Sequence, residues 1–154
     1  MDNAVGNFAD IVQRFCEWAE ESPDDPLQEM QTAQRLLAEL LYRVLALPDL
    51  EPSDDEYEDV ITIEQRKQIY GRFASLPLQG YWDMHDPLNE GEKEPAYNLL
   101  ADDLGDIYKD IKEGLHLYKE GKINDAVWEW RFHFSGHWGQ HLTNALRAIY
   151  SYLN

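Results

Sequence analysis

The spacing of the large apolar residues is the feature that most narrows the folds open to this chain. Along five segments these residues recur at steps of three and four, and no run alternates apolar with polar residues. Steps of three and four place apolar side chains on one face of an α-helix. We therefore predict an all-α fold, a helical bundle of about five helices with one long packed connection, in a single domain over residues 1–154.

Residues typical of helix ends support this division. Asp25 followed by Pro26 predicts an N-cap and a first helical position, and Thr62 with Gln65 has the spacing of a capping box. Gly121 is suited to the left-handed position that ends a helix. The predicted helices cover residues 3–21, 26–47, 62–76, 96–119 and 123–153.

Two connections differ from the rest of the chain in composition. Residues 48–61 hold seven acidic side chains, which fit either a solvated loop or a docking strip for a basic partner. Residues 77–95 are long for a structureless connection, and their aromatic residues indicate that the segment packs down on the bundle. We expect Trp82 of this segment to lie over Gly136 and Gly139 of the last helix, where missing side chains permit close approach.

The net charge limits the partners of the chain. It carries 13 Lys and Arg against 30 Asp and Glu, a formal net charge of −17. A field of this sign repels phosphates, so we predict no nucleic-acid partner and no binding to an anionic membrane surface. No apolar run would span a bilayer, and the N-terminus lacks the features of a signal peptide. We expect a cytoplasmic protein whose protein partner would be basic.

The residues best suited to chemistry lie in the last predicted helix. His133, His137 and His141 are spaced by four, which places them along one side of a straight helix. Imidazoles at this spacing can bind one metal ion together, so one hypothesis is a metal site that uses His133 and His137. The remaining ligand is expected among His85, His141, Asp83 and Asp86.

A second interpretation of the same histidines is structural. Histidines at the border of a core hydrogen-bond carboxylates, and Asp103 or Asp106 could serve as partners that lock two helices together. A third interpretation is a histidine that responds to pH or acts in catalysis. Asp102 and Asp103 are themselves predicted at a solvated helix start, where the helix dipole favours them. A polar stripe runs beside the histidines: Glu129, His133, Gly136, Gln140, Asn144 and Arg147.

Other functional signals in the sequence are few. Trp82, Trp130 and Trp138 are candidates for a small-molecule pocket, although such aromatic residues are more often typical of a core. There is no Gly-rich phosphate loop and no Gly-x-Ser-x-Gly motif, which argues against an enzyme of those classes. Cys16 has no cationic neighbour in the sequence and is predicted to be a packed thiol.

Several motifs of this chain have a familiar order: Gly71-Arg-Phe-x-x-Leu-Pro, Tyr81-Trp, Leu100-Ala-Asp-Asp-Leu-x-Asp-Ile-Tyr-x-Asp-Ile-Lys-x-Gly-Leu, and Trp130-x-Phe-x-Phe-x-x-His-Trp-Gly-x-His. Together they resemble a bacterial family of small all-helical proteins catalogued as a domain of unknown function. The resemblance spans nearly the whole chain and is strongest from Gly71 onward. It implies a helical fold and a bacterial, cytoplasmic protein, and it implies no activity.

A further set of residues has a spacing known from another class: His137, Gln140, His141 and Arg147. It is similar to that of the metal-binding damage-inducible four-helix bundle proteins, which place two histidines four apart on a late helix. Those proteins also use a histidine of the second helix. Residues 26–47 contain none, so His85 would have to take that place.

These observations leave three functions open. The charge and the lack of catalytic motifs favour an acidic protein-interaction or regulatory module that binds a basic partner. The first alternative is a metal-binding or metal-dependent protein that uses His133 and His137 with His85 or His141. The second alternative is the small-molecule pocket of the three tryptophans.

Overall fold

Five helical rods meet along their apolar faces in the computed structural model, which describes residues 3–91 and 94–154. The fifth rod is continuous through a π-helical turn between two α-helical parts. The rods are α1 (Ala4–Glu20), α2 (Pro26–Val44), α3 (Ile63–Ala74), α4 (Leu100–Lys119), and α5 (Ile123–His133) with the π turn (Phe134–Trp138) and α6 (Gly139–Leu153). The predicted all-α bundle is confirmed.

The helix ends follow the capping residues of the sequence. Asp25 accepts a hydrogen bond from the backbone N–H of Gln28 at 3.2 Å at the start of α2. Thr62 and Gln65 form a reciprocal capping box before α3, with N···O distances of 3.1 and 2.9 Å. Gly121 follows α4 with φ of 81°, which a residue without a Cβ adopts easily. These local signals therefore set the helix boundaries.

The connection 77–95 contains the first strand of a β-hairpin that the sequence pattern does not predict. Strand β1 (Gly80–Asp83) pairs antiparallel with strand β2 (Ala96–Leu99). Residues 96–99, predicted as the first turn of the fourth helix, are strand, and α4 begins at Leu100. Strands of four residues are too short to show a recognisable alternation, so contacts with the rest of the fold decide their conformation.

The two tryptophans of the fifth rod lie in the core. Trp130 and Trp138 have no exposed surface, and Phe8 packs edge-on against Trp130 with ring centroids 4.8 Å apart. Both indole N–H groups are satisfied, since Trp130 donates to Ile111 O and Trp138 donates to Trp130 O, each at 3.0 Å. The predicted pocket of three tryptophans is wrong, because Trp82 lies on the hairpin with 69% of its surface exposed.

The acidic connection 48–61 is tied to the start of α5. Asp125 accepts hydrogen bonds from the backbone N–H and the hydroxyl of Ser53, both at 2.6 Å, and from the Tyr57 hydroxyl. The hydrogen bonds from Ser53 and Tyr57 lower the pKa of Asp125. The seven acidic side chains of the connection remain exposed. The segment is therefore attached to the bundle while its charges face solvent.

Among the residues that the structure describes, none of the helices combines the length and the apolar character needed to cross a bilayer.

Cys16 is fully buried in α1, and burial raises the pKa of its thiol to about 12. The thiol is therefore packed and protonated, in agreement with its sequence context.

Two glycines of α4 offer a matched test of the packing between α4 and α5. A Cβ at Gly114 would fall 2.2 Å from Trp130 Nε1, so Gly114→Ala should displace a buried indole and lower the free energy of unfolding by about 2 kcal/mol. A Cβ at Gly105 meets nothing within 4 Å, so Gly105→Ala should be neutral or stabilising by up to about 1 kcal/mol. Chemical denaturation measures both, and equal stabilities would contradict the close contact.

Candidate metal centre

The π-helical turn decides which histidines share a face. Each residue advances an α-helix by about 100°, and a π turn contains one additional residue, so the side chains after it are rotated relative to those before it. His133 precedes the turn and pairs with Glu129 of its own helix, Nε2 to Oε2 at 2.9 Å. His137 lies within the turn and His141 follows it, and both contact carboxylates of α4. The structure therefore separates His133 from His137, contrary to the prediction.

Three side chains bring atoms suited to metal ligation together: His137, His141 and Asp106. Asp106 Oδ2 lies 3.2 Å from His141 Nε2 and 3.8 Å from His137 Nε2. All three ligand atoms lie within 4.8 Å of one another. Ligand atoms of a tetrahedral Zn²⁺ site lie about 3.3 Å apart, so small side-chain movements would bring one ion within reach of all three.

Each imidazole is held from behind by a second carboxylate. His141 Nδ1 lies 2.7 Å from Asp103 Oδ1, and His137 Nδ1 lies 2.6 Å from Asp110 Oδ2. Asp103 and Asp110 are buried. An imidazole that donates its Nδ1–H to a carboxylate keeps the Nε2 lone pair free, and this is the form that binds metal ions.

The hairpin contributes to this arrangement through Tyr81 of β1. The Tyr81 hydroxyl donates a hydrogen bond to Asp103 Oδ2, the oxygen that His141 does not use. Burial and the neighbouring Asp103 raise the pKa of Tyr81, so the hydroxyl keeps its proton. The backbone N–H of Leu100 donates to Gln79 O at 3.0 Å and fixes the hairpin at the start of α4. The hairpin therefore supports the candidate metal centre from outside the helices.

The electrostatics of the centre favour a bound cation. The hydrogen bond to Asp103 raises the pKa of His141, and burial raises the pKa of Asp103 itself. The pair therefore holds a proton more strongly than the separate groups would in water. A metal ion bound at His141 Nε2 would take over the role of this proton, as is usual where histidine ligands lose protons on metal binding.

The predicted residues of the connection lie around the centre rather than in it. His85 and Gln140 line the cleft in front of the centre, which has a volume of about 560 Å³. Gln140 Nε2 donates to His85 O at 3.0 Å, so the connection does lie against the last rod. Asp83 lines an adjacent cleft, and Asp86 accepts a hydrogen bond from the backbone of Leu88 within a turn.

The predicted contact of Trp82 with the glycines is wrong. Trp82 packs against Tyr97 of β2. A Cβ at Gly136 would meet nothing within 4 Å, whereas a Cβ at Gly139 would fall 2.3 Å from Phe134 O. The close approach at Gly139 therefore comes from its own rod, where the π turn brings the Phe134 carbonyl near. Arg147 is exposed farther along α6.

The carboxylates of α4 were only partly recognised in the sequence. Asp103 and Asp106 were considered as histidine partners, but Asp103 was also placed at a solvated helix start, and it is only 3% exposed. Asp110 and Tyr81 were missed. The spacing of Asp103, Asp106 and Asp110 by three and four places them on one acidic side of the fourth helix, which the sequence shows, but it does not show that this side faces the histidines.

The fold and the donor set define an all-α bundle protein with a candidate metal centre of two histidines and one aspartate. The chain belongs to the family described as Domain of unknown function (DUF5063), whose model matches residues 1–154. The resemblance inferred from the motifs is thereby confirmed. No curated protein matches the chain.

A solved structure shares this architecture. The crystal structure of protein BF1032 from Bacteroides fragilis is similar to this chain, with 26% sequence identity and a TM-score of 0.82. The match covers 97% of this chain and 91% of that one. The helical fold is therefore common to both proteins.

The pair of His141 and Asp103 predicts a pH dependence in the metal-free protein. NMR titration should place the pKa of His141 above the ordinary value of 6.5, and Asp103→Asn should lower it. Because the folded-state pKa is raised, the stabilisation from this pair is fully present below the unfolded-state pKa and is lost as the pH rises through the folded-state pKa. A His141 midpoint that Asp103→Asn leaves unchanged would contradict the assignment.

Proposed function

We propose that this protein binds a divalent transition-metal ion through His137, His141 and Asp106. The observation that carries the proposal is the convergence of two imidazole Nε2 atoms on one carboxylate oxygen, with a separate buried carboxylate behind each ring. A protonated imidazole can pair with two carboxylates, so the feature that favours a metal ion is the single carboxylate oxygen that the two Nε2 atoms share. The Asp106 carboxylate lies on the Nε2 side of both rings, where a metal ligand is required, while Asp103 and Asp110 hold the rings at Nδ1.

The donor types indicate which ions the centre would take. Two imidazoles and one carboxylate suit Zn²⁺, Fe²⁺ or Mn²⁺, whereas Mg²⁺ and Ca²⁺ prefer sites made only of oxygen ligands. Three protein ligands leave at least one coordination position for water or a ligand. Catalytic zinc sites have this composition, while structural zinc sites are closed by a fourth protein ligand. The donor set therefore favours an ion that can exchange a ligand with the cleft.

Removing each ligand should weaken metal binding selectively. Protein stripped by a chelator should bind one Zn²⁺ per chain in isothermal titration calorimetry. His137→Gln, His141→Gln and Asp106→Asn should each lower the affinity by at least about tenfold. His133→Gln and His116→Gln should leave it unchanged, because these two histidines pair with Glu129 and Glu120 outside the cluster.

Two further measurements distinguish a metal centre from an ion-pair network. Saturation with Zn²⁺ at about 100 times the dissociation constant should stabilise the wild type by about 2.7 kcal/mol. Co²⁺ in the same site should give a visible absorption spectrum that His141→Gln abolishes. Substoichiometric binding, or equal affinities in the His133→Gln and His141→Gln variants, would overturn the proposal.

A second function, binding of a basic partner, is favoured by the attachment of the acidic connection 48–61. Asp125 holds Ser53 and Tyr57 of the connection, while the acidic side chains face solvent. A segment that is already positioned loses less conformational entropy on binding than a free loop does. The connection therefore offers a prearranged acidic strip.

Neutralising part of this strip should weaken binding of a lysine-rich peptide more than neutralising the same number of acids elsewhere. The test variant replaces three acids of the connection: Glu56→Gln, Glu58→Gln and Asp59→Asn. The control replaces three exposed acids outside it: Asp24→Asn, Glu64→Gln and Glu90→Gln. Affinities are compared at low and high salt, since screening weakens exposed charges. Equal weakening in both variants would show that net charge alone acts.

A further inference from the structure

The hairpin presents one face to the candidate metal centre and the other to solvent. Neighbouring residues of a strand point to opposite faces. Tyr81 of β1 points to α4, where its hydroxyl donates to the buried carboxylate of Asp103. Trp82, the next residue, lies on the opposite face and packs there against Tyr97, its partner in the strand register. Tyr81 is therefore a direct link between the hairpin and the centre.

A continuous line of hydrogen bonds joins Tyr81 to a proposed metal ligand. Asp103 accepts from Tyr81 with one oxygen and pairs with His141 Nδ1 through the other. The same imidazole presents its Nε2 to Asp106 at 3.2 Å, on the side where the ion would bind. The Tyr81 hydroxyl is thus separated by two hydrogen bonds from the ring that would hold the ion.

The hairpin is a small element that can open while the helices stay folded. Its strands form a sheet of only two strands with four residues each, and such a pair is marginally stable in water without further packing. Besides Tyr81, the backbone N–H of Leu100 and the side chain of Gln140 hold it to the helices. Local opening of this kind costs less free energy than global unfolding. Opening would expose Asp103 to water.

A bound ion would favour the closed hairpin for an electrostatic reason. Closing the hairpin removes the Asp103 carboxylate from water, which is unfavourable for a charged group. An ion on Nε2 of His141 lies across one imidazole ring from this carboxylate. Their attraction is stronger when the hairpin excludes water, because it is screened less. The ion therefore offsets part of the cost of closing.

We propose that the hairpin and the metal centre are coupled: the closed hairpin strengthens metal binding through Tyr81 and Asp103, and the bound ion keeps the hairpin closed. This inference rests on the proposed metal function and concerns its regulation. Coupling between two sites is reciprocal, so the factor by which closure raises the affinity for the ion is also the factor by which the ion favours closure. An interaction that opens the hairpin from its exposed face would therefore weaken the binding of the ion.

Zinc affinity measures the coupling in one direction. In isothermal titration calorimetry of protein stripped by a chelator, Tyr81→Phe should lower the Zn²⁺ affinity by at least about tenfold. Tyr57→Phe is the matched control, because it removes another hydrogen bond from a tyrosine to an aspartate, that to Asp125, outside the centre. The affinity of this control should equal that of the wild type.

A pair of glycine substitutions perturbs the hairpin independently of Asp103. A Cβ at Gly80 would fall 2.7 Å from the backbone oxygen of Asn98 on the paired strand, so Gly80→Ala should disturb the hairpin and lower the Zn²⁺ affinity. A Cβ at Gly71 of α3 meets nothing within 4 Å, so Gly71→Ala should leave the affinity unchanged.

Hydrogen exchange measures the coupling in the other direction, on the wild-type protein. Saturating Zn²⁺ should slow exchange of the Leu100 amide, which donates to Gln79 O, and of the amides that pair β1 with β2, by about tenfold. The Ser53 amide, which donates to Asp125 outside the centre, should exchange at an unchanged rate. This measurement needs no substitution, so it decides the question even where a variant does not fold.

The outcomes separate this inference from the proposed function. If stripped protein binds no Zn²⁺, both fail. If one Zn²⁺ binds per chain and Tyr81→Phe binds it as tightly as Tyr57→Phe, the metal function stands and the coupling is overturned. Hairpin amides that Zn²⁺ leaves unchanged, or slows no more than the Ser53 amide, would overturn the coupling as well.

Discussion

A buried carboxylate without hydrogen-bond partners lowers the free energy of unfolding by several kcal/mol. Because Asp103 is buried, the residues around it must supply such partners. Its two oxygens are satisfied by Tyr81 from the hairpin and His141 from α6. Since these partners come from distant parts of the chain, satisfying Asp103 fixes the hairpin, α4 and α6 relative to one another. His141 cannot turn away without leaving a buried charge unpaired. The position of its Nε2 is therefore a consequence of how Asp103 is stabilised.

The π-helical turn determines how the histidines of the last helix are oriented. The backbone N–H of Gly139 donates to Phe134 O, five residues earlier, and leaves no room for a Cβ at position 139. π turns are rare and occur mostly at functional sites, because they disturb the regular hydrogen bonding of a helix. Here the turn lies between His133 and His141 and allows His137 and His141 to face α4 together. A regular helix would have distributed the three histidines differently.

The sequence predicted those features that depend on neighbouring residues. Apolar spacing gave the rods, and Asp25, Thr62 and Gly121 marked their ends, because capping is a local interaction. The hairpin was missed because its four-residue strands depend on tertiary contacts such as that between Tyr81 and Asp103. Local propensity carries little information about such pairs.

The candidate centre was predicted in part for the same reason. The spacing of His137 and His141 identified both as candidate ligands. On the assumption of a straight helix, however, His133 was preferred to His141 as the partner of His137. Nothing in a helical period indicates where a π turn inserts its additional residue. Asp106 was named as a partner of a histidine and not as a ligand. That distinction depends on which nitrogen of each ring it faces, and only the three-dimensional arrangement shows this.

The candidate centre has more carboxylates than imidazoles, and this excess of negative charge affects whether a proton or a cation binds there. Asp103, Asp106 and Asp110 converge on two imidazoles in a chain whose formal net charge is −17, so like charges repel one another there. A proton held by His141 offsets part of this repulsion, and a divalent cation offsets more of it. Under the proposed function a proton and a metal ion would therefore compete for one negative site. Under the proposed metal function the third carboxylate would favour the ion, because Asp106 Oδ2 lies 3.2 Å from His141 Nε2 and 3.8 Å from His137 Nε2.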